Sequence, residues 1–138
     1  MSIIQTQTTS FKKELYQAVH NLATDTIKIA LYTGNADLNE DTTVYSATNE
    51  VSGTGYTAGG QVMTGVAISS SGYVAYANWA NVSWTAALTA RCALIYNVTQ
   101  GNKSIAVLDF GSDKTSTTTF TITMPANTST TALIRSSN

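Results

Sequence analysis

Little in this chain can carry reactive chemistry. One cysteine, one histidine and one proline stand among 138 residues. Charged residues make up 11% of the chain, against roughly 25% in an ordinary soluble domain. Each scarcity excludes a class of function. The lone Cys92 leaves no intramolecular disulfide framework and no multi-cysteine zinc site. The lone His20 leaves no histidine-based metal cluster. A net charge of -1 gives no general attraction for nucleic acid or an anionic membrane surface. The basic residues Lys12, Lys13, Arg91 and Arg135 are too scattered to make a nucleic-acid patch. No apolar run approaches the length that spans a bilayer, and MSIIQTQTTSFKKEL lacks the apolar stretch of a signal peptide. Synthesis in the cytosol is therefore expected, with no membrane or nucleic-acid partner and no cofactor.

What the chain does have is apolar and uncharged polar surface. It is 43% hydrophobic, enough for one domain with a real core, so solubility rests on Thr, Ser and Asn. Such side chains suit strand faces and packed protein–protein surfaces. Residues 1–10 are polar and without period, and read as a flexible or docking arm. The remainder, 11–138, reads as a single domain. Phe11, Leu15, Ala18 and Leu22 recur at helical spacing, which predicts one short helix over 11–21 with Ser10 as its N-cap. Lys13 occupies the position where a capping box wants Glu.

From Asp25 the period changes. TIKIALYT (26–33) is apolar on both alternating sets, as in a strand covered on both faces. After a long polar, Gly-rich connection over 34–60 come short runs rich in Val, Ile, Thr and Tyr. They span 61–69, 73–79, 81–85, 89–97, 103–110, 117–124 and 131–135. Turn signals separate them, among them SSSG at 69–72, QGN at 100–102, GSDK at 111–114 and PANTST at 125–130. Pro125 falls just past a strand, where its missing N–H costs no ladder bond. About eight such strands predict an all-β, antiparallel β-sandwich or jelly-roll-like fold with one short N-terminal helix.

The motifs that resemble chemistry do not hold up. EVSGTGYTAGG (50–60) has neither the Lys of a phosphate loop nor the glycine spacing of a dinucleotide fingerprint. Its glycines suit a bend, where positive φ or close backbone approach is needed. Asp109–Phe110–Gly111 spells a kinase triplet without the rest of a kinase. His20 reads as a surface or capping histidine, and Cys92 as a small buried hydrophobe. A hydrolase would need a pocket in which His20 meets a Ser, a Cys or a carboxylate. Asp37, Glu40 and Asp41 could hold Ca²⁺ but lack the EF-hand pattern, which leaves a solvated loop. Trp79 and Trp84, with Tyr73 and Tyr76, read as core or interface aromatics; a sugar-stacking platform is the alternative.

DTIKIALYT (25–33), TTVYSATNEVSGTGYTAGG (42–60), TARCALIYN (89–97) and AVLDFGSDKTS (106–116) resemble small virion proteins of tailed double-stranded-DNA bacteriophages. The blocks keep the same order and cover about residues 11 to 135. In that group the third block usually reads TARGALIYN, so Cys92 here replaces a glycine. The resemblance brings no catalytic residues. It implies a capsid decoration, or cement, protein on the virion surface, made in the bacterial host cytoplasm. Its partners would be the major capsid protein and further copies of itself, as a trimer at local threefold positions. The contact residues expected on that reading are Ile3 and Ile4 in the arm, Gly53, Gly55, Tyr56, Gly59 and Gly60 in the bend, and Ser112, Asp113 and Lys114 in the turn. The alternative is a tail, adaptor or adsorption-apparatus protein whose exposed tryptophans recognise a host glycan.

Overall fold

The computed structural model describes residues 2–137. In chain order its elements are β1 (Thr6–Gln7), α1 (Thr9–Tyr16), β2 (Ile27–Tyr32), β3 (Gln61–Val62), β4 (Ala67–Ser71) and β5 (Val74–Asn78). They are followed by β6 (Val82–Trp84), β7 (Thr89–Asn97), β8 (Lys103–Thr115), β9 (Phe120–Ile122) and β10 (Ile134–Ser136). Strands take 40% of the chain and helix 6%, so the fold is all-β, as the sequence predicts. One sheet has the order β1-β8-β7-β2-β3; the others are β10-β5-β4 and β6-β9, and every strand pair is antiparallel.

The centre is the β2–β7 pair, in register from Ile27 opposite Asn97 to Tyr32 opposite Cys92. Because side chains alternate across a strand, Ile29, Leu31, Ala93 and Ile95 face one core and Ala30, Tyr32, Cys92 and Leu94 the other. The doubly apolar reading of 26–33 has this cause.

The first core is closed by the two small sheets, which contribute Ala77, Trp79, Val82, Trp84, Phe120, Ile122 and Ile134. They make one broken layer. The chain runs from β5 through Trp79–Asn81 into β6, and β10 and β9 pair with successive parts of it, Ile134 opposite Ala77 and Ile122 opposite Val82. From Val82 to Ala90 burial alternates strictly, the signature of a layer with one dry face and one wet one. The second core is smaller. Ala36 and Leu38 of the long connection, helped by Ile3 and Tyr45, cover Tyr32, Cys92, Leu94, Tyr96 and Val107. The connection is thus a lid on the second face of the large sheet.

Five features differ from the sequence reading. The arm is not free: Thr6 and Gln7 pair with Val107 and Ala106, Ile3 bridges Leu38, and Gln7 Nε2 donates to the Arg135 carbonyl at 2.7 Å. Met1 of that arm, and Asn138, lie outside the described residues. The helix cap is Thr8 rather than Ser10. Thr8 is wholly buried, its amide donates to the Ile105 carbonyl at 2.9 Å, and its Oγ1 accepts from the Phe11 amide. The helix stops at Tyr16, where the Ala18 amide returns to the Leu15 carbonyl and the Val19 amide to the Glu14 carbonyl, with Ala18 at φ 56°. That is a Schellman closure with alanine at the left-handed position.

Among the described residues the strands number ten rather than eight, because β1 joins the sheet and the run 61–69 breaks into β3 and β4 at 63–66. Finally, GSDK is no turn between strands. Between Asp109 opposite Cys92 and Lys114 opposite Ala90, residues 110–113 bulge against the single residue Arg91, and β8 continues to Thr115. The Asp109 carboxylate accepts from the Gly111 amide at 2.8 Å and shapes the bulge.

Candidate functional site

The end of the sandwich where β2 and β8 finish and β7 starts gathers two of the three expected contact segments. Gly53 packs beside Leu88, and Gly55 lies against the backbone of Thr85 and Ala86. Ser116 ties this corner together: its Oγ donates to the Ala86 carbonyl at 2.7 Å and accepts from the Leu88 amide at 3.0 Å. Lys114 and Thr115 pair with Ala90 and Thr89 alongside. The outer surface of this end is Ser52–Gly55, Thr85, Ala87, Thr89 and Gly111–Thr115, all exposed. Charge enters it only through Asp113 and Lys114. Ile3 and Ile4 stand apart, on Leu38, although Gln5 Oε1 reaches the Asp109 amide at 3.1 Å.

Beside this rim lies a groove of about 780 Å³ between the end of β8 and the open edge of β9. Leu108, Phe110, Phe120, Ile122, Met124 and Leu133 make it apolar, and Lys114 is the charged residue on its wall. An apolar slot next to a small-residue polar rim has the anatomy of a protein-binding patch.

The rest of the Gly-rich bend faces inward. Glu50 gathers it: Oε1 accepts from the Tyr45 hydroxyl at 2.6 Å, and Oε2 accepts from the Tyr56 hydroxyl and, at 2.8 Å, from the Gly59 amide. Tyr56 in turn accepts from the Leu31 amide at 2.9 Å, and Tyr96 donates to the Gly59 carbonyl. Tyr45 and Tyr96 stack with ring centroids 4.7 Å apart. Burial, and then the Glu50 charge, holds the Tyr96 phenol up at about 12 and pushes Tyr56 and Tyr45 above their ordinary range; burial does the same to Tyr32. Tyr56 and Gly59 are buried, and a Cβ at Gly60 would stand 1.8 Å from the Ile29 carbonyl oxygen. The bend reading of the glycines is correct. Of the expected contact residues Tyr56, Gly59 and Gly60, the first two are taken up by the domain's own core and Gly60 is half-buried against Ile29.

At the opposite end His20 lies at the wall of a cleft of about 360 Å³ shared with Leu15, Leu22, Tyr76 and Ile134. His20 is buried rather than on the surface, its ring 5.0 Å from that of Phe11. Its Nε2 meets Glu14 Oε1 at 2.8 Å and its Nδ1 meets Asn97 Nδ2 at 3.0 Å. Asn97 Oδ1 accepts from the Gln100 amide, so its Nδ2 faces both His20 and Asp25 Oδ2. An amide donor at Nδ1 fixes the proton of the neutral ring on Nε2, donated to Glu14. His20 thus meets a carboxylate, with neither a serine nor the thiol among its hydrogen-bond partners. Nothing in the sequence pairs positions 14, 20, 25 and 97; only the fold does.

Cys92 is fully buried, and burial, with the Asp109 charge, pushes its thiol up to about 12. Trp79 and Trp84 are buried as well, Trp84 between Tyr56 and Phe120. That removes the platform on which a glycan-binding reading rested. Among the described residues no three His, Cys, Asp or Glu side chains converge as metal ligands, Asp37, Glu40 and Asp41 included. No helix among them is long and apolar enough to cross a membrane. The chain matches no protein-family model, no curated protein and no solved structure.

Proposed function

We propose that this protein is a structural component of a tailed-phage virion, a decoration or cement protein that binds the major capsid protein lattice and stabilises the mature head. The observation that carries the reading is the rim of Ser52–Gly55 and Gly111–Thr115 beside the apolar groove of Leu108, Phe110 and Ile122. It agrees with the resemblance to small phage virion proteins. A cement protein needs rigid surface more than chemistry, and backbone-rich edges buttressed by Ser116 and Glu50 supply it. A molecule that binds only the expanded lattice makes that state harder to leave, by mass-action linkage. Repetition over the lattice adds avidity.

The test is the copy number per virion, by quantitative mass spectrometry against the major capsid protein. A value in simple proportion to the head lattice is expected; a few copies, matching one tail vertex, would sink the head reading. A Thr54→Arg, Ser112→Arg double variant, which alters the exposed rim and leaves the core alone, is expected to melt like the parent and to lose capsid binding. Truncating residues 1–10 would not isolate docking, since it also removes β1 and the Thr8 cap.

A further inference from the structure

No charged residue occurs between Val51 and Ala90. That neutral stretch contains β4, which forms one edge of its sheet. Sheet edges carry unpaired backbone groups, and natural proteins blunt them with short strands, charges, prolines or bulges. The other edges here follow the rule. β1 and β3 are two residues long; β6 and β9 are three, with Pro125 soon after β9; β10 is three and carries Arg135. β4 has none of these devices. It runs for five residues, all exposed, with unbroken register against β5, and Ile68 on it is 54% exposed.

The hairpin geometry says which groups point outward. Ser71 and Val74 close a two-residue loop, with Gly72 at φ 59° in its first position, as a type II′ turn requires. A loop of that length closes on a hydrogen-bonded pair, so Ser71 bonds inward to Val74 and the orientation alternates from there. Ser70 and Ile68 therefore turn both N–H and C=O away from β5.

We infer that β4 is the pairing edge of a twofold dimer: it bonds antiparallel to the β4 of a second copy, centred on Ser69. In that register Ile68 of one copy lies opposite Ser70 of the other, and these are the residues whose backbone groups point outward. The pair forms a complete ladder, joining the two three-stranded sheets into one across the axis. A copy of the same strand is the fitting occupant because AISSS offers no charge or specific side chain to select a foreign strand. Isologous pairing needs only that like charges do not meet and that outward groups coincide. Ile68 also lines a cleft with Leu15, Leu22, Tyr76 and Ile134, and Leu15 is 38% exposed. The second copy covers the open side of that cleft. The assembly is twofold where the resemblance implies a trimer, and the pairing does not depend on binding a capsid.

Sedimentation velocity over a concentration series, with amide hydrogen exchange on the same samples, tests it. The parent is expected to dimerise with rising concentration while the Ile68 and Ser70 amides gain protection. Ser70→Pro deletes an outward N–H without touching the β4–β5 ladder, and Ser70→Lys places ammonium groups on both sides of the axis. Each is expected to weaken association roughly ten- to a hundredfold. Should the proline variant not fold, the lysine variant decides. A parent that stays monomeric at every soluble concentration overturns the inference. So does a dimer that survives both substitutions, or any oligomer in which the Ile68 and Ser70 amides exchange as freely as in the monomer. The copy number per virion reads the capsid proposal separately, so either can fail alone.

Discussion

Glu50 accepts from two phenols and one amide, and every one of those donors belongs to the segment that must lie down on the sheet. Replacing it with Gln exchanges one acceptor oxygen for a donor, so at least one partner faces a like group. Hydrogen bonds to a charged acceptor contribute about 1.5–3 kcal/mol each. Glu50→Gln is expected to lower stability by about 2 kcal/mol, read as a drop in the urea midpoint at unchanged slope. Hydrogen exchange should quicken over residues 45–60 ahead of β2 and β7. At this scale the sequence was legible for glycine and misleading for tyrosine. Gly60 and Gly55 sit where a Cβ would meet the Ile29 and Thr85 carbonyl oxygens, and a Gly-rich bend announces such close approach. Tyr56, set between Gly and Thr, looks exposed. Its burial is decided by Leu31 and Glu50, which local composition does not reveal.

At the scale of the element, α1 ends on a residue ill suited to its place. Ala18 holds φ 56°, a conformation that costs an L-residue about 1–2 kcal/mol and glycine almost nothing. Its side chain is exposed, so no packing is lost on shortening it. Ala18→Gly is expected to raise stability by about 1 kcal/mol after the extra entropy of glycine in the unfolded chain, measurable as a higher thermal midpoint. The apolar alternation along the chain marks β7 over its full bounds but stops short of the end of β8. A Gly-Ser-Asp-Lys run is a turn signal, and the backbone does leave the ladder there, but Thr115 opposite Thr89 takes the strand up again. β1 was missed for a related reason. Its two polar residues join the sheet through backbone bonds, which leave no hydrophobic period to read.

Over the whole molecule, Tyr32, Tyr45 and Tyr96 belong to the second core and Tyr56 to the first, and burial raises each above the ordinary value of 10.0. The unfolded chain releases these phenolic protons near that value, while the folded protein keeps them, Tyr96 to about 12. Above pH 10 the unfolded state therefore binds fewer protons than the native one, and stability falls as pH rises. Their contribution is full below the unfolded value and is lost as pH climbs through the folded ones. Urea midpoints are expected to hold up to about pH 10 on this account and to drop steeply beyond it, with the phenolate absorbance of the four appearing only together with unfolding. A gradual phenolate signal from all tyrosines in the native state would count against the buried cluster.

The clasp between the two ends of the chain sets an order of events during synthesis. The Thr8 amide waits for the Ile105 carbonyl and Gln7 for that of Arg135, so the N-terminal strand and the cap of α1 have no partners while the middle of the protein is being made. Contacts so far apart in sequence form late and slowly. Until then the upper part of β8 lacks its β1 neighbour and presents Ala106 and Val107 on a raw edge. That edge stays unpaired until β1 folds back onto it, and in that interval the incomplete chain is most prone to aggregation.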